Sequence, residues 1–298
     1  MGSITRDKLD QYQTKTFRTS PGKLLKTAQD AIDFVNQRGF ILFWPDPKMD
    51  FPNLWQAVAG KRPIPDDHDD PGHITWEWKD SLLDKKVWYY ARVIRQRNTM
   101  ISLTLLPYFY ALSPNYGSPE EDIQDQYRQG AIPLEAKRLF ETLLEKGPLD
   151  TLSLRKEAHL SSSTATQPFQ RALNLLQRDF KLLPVGIAEV GAWRYAFRYD
   201  LTHRYFPDLI ESAHEISDFY ARIQLIKSYL DSIGAASAKQ IAKVFSWPLE
   251  ITQRHMDRYA DDNWMPCNLV IGNDNIPGYR SVNLPDPQNK PNNQFKRL

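Results

Sequence analysis

Residues 136–151 read AKRLFETLLEKGPLDT, and residues 223–238 read IQLIKSYLDSIGAASA. In the first stretch Ala136, Leu139, Phe140, Leu143 and Leu144 recur at three- and four-residue intervals, the spacing that lines one face of an α-helix. Gly147-Pro148 ends that helix, and Asp150 or Thr151 is placed to cap a second, short helix through His159. In the second stretch Ile223, Ile226 and Leu230 stand 87 residues after Ala136, Leu139 and Leu143, and Gly234 and Ser237 stand 87 after Gly147 and Asp150. The same unit is written twice.

Both units continue alike. After the polar loop Ser161 to Thr166, Phe169, Ala172, Leu173, Leu176 and Phe180 predict a third helix. Two strands follow, Leu182 to Ala188 and Trp193 to Tyr199, around a turn at Gly191. In the second unit Ile241, Val244 and Phe245 mark the short helix, and the loop after it is about seven residues shorter. Leu249, Thr252 and Met256 match Phe169, Ala172 and Leu176, and a hairpin is expected with strands Cys267 to Ile271 and Tyr279 to Val282 around a loop at Gly272 to Gly278. Three helices and a hairpin make the winged variant of the helix-turn-helix. The expected fold class is α+β, mainly helical, with tandem winged-helix domains.

The N-terminal third is less regular. Leu24 to Gln37 predicts a helix with Ala28, Ile32 and Val35 on one face and Gly39 just past its end. Arg62 to Gly72 is a Pro/Asp-rich loop, and Val87 to Arg95 and Thr99 to Leu106 read as strands about a turn at Gln96 to Asn98. This is a candidate third, divergent winged helix. The expected division is 1–115, 130–205 and 215–284, with Asn115 to Asp125 as a linker and a disordered tail over 285–298.

With 41% apolar and 25% charged residues the 298-residue chain buries a core and stays soluble. A net charge of +2 excludes a histone-like polycation, so any nucleic-acid contact must be a local face. Cys267 is the single cysteine, so no intramolecular disulfide forms. No apolar run is long enough to cross a bilayer and no leader is evident, so a cytoplasmic protein without membrane contact is expected. GxGxxG, Walker, HExxH and GxSxG motifs are absent, and no cofactor is expected.

The polar faces of the two third helices carry the side chains that read bases and hold phosphates: Gln170, Arg171, Asn174, Gln177 and Arg178 in one, Gln253, Arg254 and Arg258 in the other. Any amphipathic helix also has a solvated face of this kind. Arg194 and Arg198 stand on the first hairpin, where a wing touches the backbone; Trp193 and Tyr195 read more simply as strand residues. Five of the eight tryptophans lie between Trp44 and Trp88, around an acidic loop with Asp69 and Asp70. Core packing accounts for most of them, but Trp76 and Trp78 are also candidates to stack an unpaired base. If extended, Trp76-Glu77-Trp78-Lys79-Asp80 puts Trp76, Trp78 and Asp80 on one face. Asp80, or Asp69 and Asp70, is the candidate acid–base group and Lys79 a candidate nucleophile, though Lys79 beside a carboxylate also reads as a surface ion pair. His68 and His73 among the aspartates match no metal-site spacing, and no metal is expected.

Several stretches are similar to one known family: Arg38-Gly39-Phe40, Leu54 to Val58, Asp69 to His73, Trp76 to Leu83, Leu106 to Leu112, Gln177 to Phe180 with Pro184-Val185-Gly186, and Gly191 to Tyr195. Across about Ala28 to Val282 the chain resembles the AlkZ/YcaQ-like winged-helix DNA glycosylases, and more closely a divergent AlkZ-related group. The resemblance implies tandem winged helices curved around double-stranded DNA and, in its well-studied branch, removal of alkylated or crosslinked bases. That branch uses a glutamine-containing pair two residues apart after the first helix. Leu42 and Trp44 stand there, and neither polarises water. The branch also has a Trp-x-His-Glu element; here Trp78-Lys79-Asp80 keeps a carboxylate and lacks the histidine. The expected function is binding of double-stranded DNA, intact or damaged, in a repair-type role. N-glycosidic cleavage, a non-catalytic regulator or damage sensor, and a protein-interaction scaffold remain the alternatives.

Overall fold

A computed structural model describes residues 2–67, 69–192, 194–260, 263–272 and 274–285. His68, Trp193 and the tail expected after Pro285 lie outside the described residues. The first elements are a short strand, β1 (Ser3–Thr5), and α1 (Arg6–Thr16), which Thr5 caps by accepting the Lys8 amide hydrogen. Three units of one pattern follow.

The first unit contains α2 (Ala28–Arg38), β2 (Phe40–Leu42), α3 (Leu54–Ala59), α4 (Ile74–Leu82), β3 (Tyr89–Arg92) and β4 (Asn98–Ile101). Helices α5 (Leu106–Ala111) and α6 (Pro119–Arg128) lead to the second. That unit contains α7 (Leu134–Lys146), β5 (Leu149–Asp150), α8 (Thr151–Glu157), α9 (Thr166–Arg178), β6 (Leu182–Ala188) and β7 (Ala196–Leu201). After α10 (Thr202–Tyr205) and α11 (Leu209–His214) the third unit contains α12 (Asp218–Ile233), β8 (Ala235–Ala236), α13 (Ala238–Phe245), α14 (Leu249–Arg258), β9 (Trp264–Ile271) and β10 (Asp274–Ser281). The protein is α+β with helices predominating.

Each unit closes a small sheet in the same order, its first strand pairing with the last: β2-β4-β3, β5-β7-β6 and β8-β10-β9, the last extended by β1 parallel to β9. The caps follow from sequence. Asp150 accepts from the Leu152 and Ser153 amides, satisfying donors that the first turn of α8 leaves unpaired. Ser237 and Gln240 form a capping box on α13, as Thr27 and Asp30 do on α2.

The units share their cores unequally. The second unit packs largely on itself, with Leu139, Phe140, Leu176 and Leu182 fully buried. The first unit has an inner cluster around Phe34, Ile41, Leu54 and Trp78. Its other face merges with the third unit, where Phe51 stacks on Tyr229 with centroids 5.6 Å apart and Phe40 meets Phe245 at 5.8 Å. At this junction Gly39 has φ +78° and approaches α12 so closely that an added Cβ would sit 2.4 Å from the Ser228 hydroxyl oxygen. The β3–β4 turn holds Arg95 and Gln96 in the left-handed region, and Arg95 donates to the Lys243 carbonyl of α13 at 2.9 Å.

Several expectations are corrected. The segment expected as a linker, Asn115 to Asp125, is largely helix: Pro119 at the first turn, followed by Glu120, Glu121 and Asp122, favours a start there. Trp76 to Asp80 is helical and not extended, because Thr75, Trp78 and Lys79 supply the buried stripe of α4. The last hairpin is longer than expected, with Asp274 already paired to Ile271 and Pro277 to Asn268. No helix among the described residues is long and apolar enough to cross a membrane.

Candidate nucleic-acid interface

The third helices of the second and third units present different polar faces. α9 buries Phe169, Ala172, Leu173 and Leu176, which turns Gln170 and Arg171 to solvent and leaves Asn174 half-buried. The Gln170 amide donates to Asn174 Oδ1 at 2.9 Å, and Arg171 forms no ion pair among the described residues. Gln177, expected on this face, is buried: its Oε1 accepts from the Arg92 amide at 3.2 Å and ties α9 to β3. Arg178 makes a two-pronged pair with the buried Asp179 at 2.7 and 2.9 Å. Breaking that pair would strand a buried carboxylate, so Arg178 is held to its neighbour.

On α14 Arg254 pairs with Glu250 at 3.0 Å, both side chains exposed, and the Arg258 guanidinium lies over Tyr259 at 5.6 Å. Arg194, on the β6–β7 turn, pairs with exposed Glu189 at 2.8 Å. Exposed pairs of this kind contribute about 0–1 kcal/mol, so each carboxylate holds its arginine only weakly. Arg198 lies across Gly186, where a Cβ would stand 3.1 Å from the guanidinium. Between α9 and this hairpin opens a cleft of about 400 Å³, lined by Gln170, Arg92, Tyr90 and Tyr195 among others.

The third helix of the first unit holds its lysine inside. Lys79 is 4% exposed, and its ammonium lies 2.6 Å from Asp80 Oδ1 and donates to the Tyr195 hydroxyl at 2.9 Å. The rings of Phe197, Phe43, Tyr195 and Tyr90 surround it at 4.7 to 5.7 Å. Tyr195 in turn donates to Asp80 Oδ1 at 3.0 Å. Burial lowers the Lys79 pKa, opposed by the adjacent Asp80 carboxylate, and burial with the Asp80 charge raises that of Tyr195. Asp80 keeps 23% of its side chain exposed. Sequence reading found Lys79 and Asp80 but read Tyr195 as a plain strand residue; a contact between two units leaves no local periodicity to find.

The remaining candidates are dispersed. Asp69 is exposed, whereas Asp70 accepts from the Gly72 amide at 2.7 Å and pairs with Arg62 at 2.5 Å. The Arg62 hydrogen bond holds Asp70 below its usual pKa, which suits an anion and not a general acid. Trp78 is 7% exposed inside the first unit's core and offers no face to a base. Trp76 is 38% exposed and packs edge-on against Trp44, with centroids 5.8 Å apart. Leu42 is fully buried in β2, opposite Thr99.

A model of the AlkZ-related family matches residues 25–246. The chain belongs to the AlkZ-related family. Among solved structures it is similar to the DNA glycosylase AlkZ of Streptomyces sahachiroi, with a TM-score of 0.58 and 12% identity over 94% of this chain and 70% of that one. At that identity the likeness is one of fold. A comparison with curated proteins finds no match. In this AlkZ-related chain the matched residues take in α2 to α13, and so Lys79, Asp80, Gln170, Arg171 and Tyr195. Arg254 and Arg258 of α14 lie beyond them, as do β1 and α1.

Proposed function

We propose that this AlkZ-related protein binds double-stranded DNA in a repair-type role, through three winged-helix units at 1–115, 130–205 and 215–284, and does so without excising a base. The observation that carries the binding reading is the row Gln170, Arg171 and Asn174, turned outward by the buried stripe of α9. A helix in this place enters the major groove of helix-turn-helix proteins, where these side chains pair with adenine or guanine edges. Arg254, Arg258 and Arg194 are placed to hold phosphates, and Arg178 to position α9 through Asp179. The absence of excision is supported by what the candidate groups already do. Lys79 is enclosed, Asp70 is committed to Arg62, and Leu42 and Trp44 supply no group that activates water.

The test uses duplex oligonucleotides, intact and alkylated, deaminated or crosslinked, with binding at two salt concentrations and base release followed together. Salt-sensitive binding without release is the expected outcome; no binding at all would leave only a protein-interaction scaffold. One observation favours a second reading, a glycosylase: the partly exposed Asp80 carboxylate lies between two proton donors. Base release abolished in Asp80→Asn would establish that reading.

A further inference from the structure

A groove of about 990 Å³ lies between α1, the end of α2, the end of α12 and residues 283–285. Its walls carry Lys8, Lys15, Arg18, Lys23 and Arg38 against a single acid among the described residues, Asp231. In a chain whose formal net charge is only +2, this is a strong local excess of one sign.

The segregation is built into α1. Lys8 and Lys15 are seven residues apart and so share one helix face, about 10 Å from each other at the α-helical rise. On that helix Asp10 pairs with Arg6 at 3.0 Å, and Arg6 also binds Asp50. Lys15 and Lys23 are exposed and form no ion pair among the described residues. Arg18 donates to Gln37 Oε1 at 3.2 Å, and Arg38 donates to the Asp231 carbonyl at 3.0 Å, which fixes both guanidinium groups at the wall. The Asp231 carboxylate accepts from Asn283 at 3.0 Å and from Ser281, and so is engaged by neutral donors of the last strand and the segment after it.

We infer that this groove is a second nucleic-acid contact, one that takes the sugar–phosphate backbone of a duplex. The cations are strung along two helices and a loop and do not converge on one point, which fits a polymer of phosphates better than a single phosphate ion. α1 has no exposed large apolar side chain to insert into a bilayer, which argues against a lipid surface. The sequence after Pro285 carries Lys290, Lys296 and Arg297 against Asp286, an excess of the same sign as the groove's. Lys8, Lys15, Arg18 and Lys23 precede the residues that match the family model, while Arg38 and Asp231 lie within them, so the groove spans the edge of the matched region. It needs no contact from α9 or α14 and so goes beyond the binding mode proposed above.

The test uses the full chain, a mixed-sequence duplex of about 20 base pairs, and two doubly substituted proteins, Lys15→Glu with Lys23→Glu, and Arg171→Glu with Arg254→Glu. Affinity is titrated against salt, and lysine acetylation of the unsubstituted protein is mapped by mass spectrometry with and without duplex. The expected result is protection of Lys15 and Lys23 by the duplex. The lysine pair variant should bind about tenfold more weakly near 0.1 M salt, with a log–log salt slope shallower by about 2, since each lost phosphate contact removes about 0.9. Unchanged affinity and slope with no protection would overturn the groove, while loss of binding in the arginine variant alone would leave the α9 reading standing. Lysine-variant loss with an unaffected arginine variant would uphold the groove and remove that reading. Capture of anionic phospholipid vesicles without duplex binding would overturn the nucleic-acid assignment.

Discussion

α4 and α9 occupy the same place in their units and bury their charged side chains differently. The hairpin of the next unit packs on α4, its Tyr195 and Phe197 closing over Lys79 in the buried stripe, while Trp76 and Glu77 stay exposed. The polar face of α9 keeps Gln170 and Arg171 in solvent. A repeated fold does not repeat its chemistry: one third helix carries a lysine into a contact between units, and the other keeps its cation in solvent. The contrast also says where substitutions should be felt as lost stability and where as lost binding.

The largest effect is expected at Lys79. Lys79→Ala should lower unfolding stability by about 3 kcal/mol, because it empties an aromatic box and leaves Asp80 without its cationic partner. Lys79→Met, which refills the volume, should cost closer to about 1 kcal/mol; urea denaturation measures both. If both variants kept full stability, α4 would not be a packing helix. Gly39→Ala comes next, at roughly 2 kcal/mol, since its Cβ meets Ser228 and its φ is left-handed. The same denaturation series reads it, and a neutral result would mean that α2 and α12 separate easily.

On α9 the expectation reverses. Arg171→Ala should change stability by less than about 0.5 kcal/mol. It should weaken duplex binding about fivefold to tenfold, with the salt slope shallower by about 1 if the guanidinium holds a phosphate. Loss of stability in place of binding would make α9 a second α4.

The smallest effect concerns Lys181, three residues past α9, which is 3% exposed and donates to Asn115 Oδ1 at 2.8 Å. Burial pushes its pKa down to about 8 from 10.5, against the opposing charges of Asp122 and Asp179. Between those values the unfolded chain holds a proton that the folded chain has released, so this group's contribution to stability rises with pH. Below about 8 both states are protonated and the contribution is flat. Stability of the unsubstituted protein minus that of Lys181→Met should climb by about 1 kcal/mol from pH 8 to pH 9. A flat difference would place the lysine in water.

Legibility in the sequence followed the length of the pattern. The repeat was readable because α7 and α12 bury long stripes, each ended by a glycine and followed by a cap at Asp150 or Ser237. The strands β5 and β8 are two residues each and leave no period to read, though they complete the order of their sheets. α4 hid because a lysine takes a place in its buried stripe where an apolar residue is expected. The first half of β10 hid because Pro277 and Gly278 read as breakers. Gly278 is instead a point of close approach within the strand pair, where a Cβ would stand 2.8 Å from the Leu269 side chain. Of the candidate site, Lys79 and Asp80 were legible as neighbours in sequence. Their closure by Tyr195 was not, since it depends on how two units dock.

The merged core of the first and third units bears on how the chain is made. Synthesis delivers the first unit to solvent long before α12 and α13 exist, so Phe40 and Phe51 wait for Tyr229 and Phe245. The second unit, with most of its core from its own residues, needs no such delay. A nascent chain arrested after α11 should therefore resist protease across residues 134–201 and be cut within 40–101. Contacts so distant in sequence cost loop-closure entropy before they form, which favours slow folding.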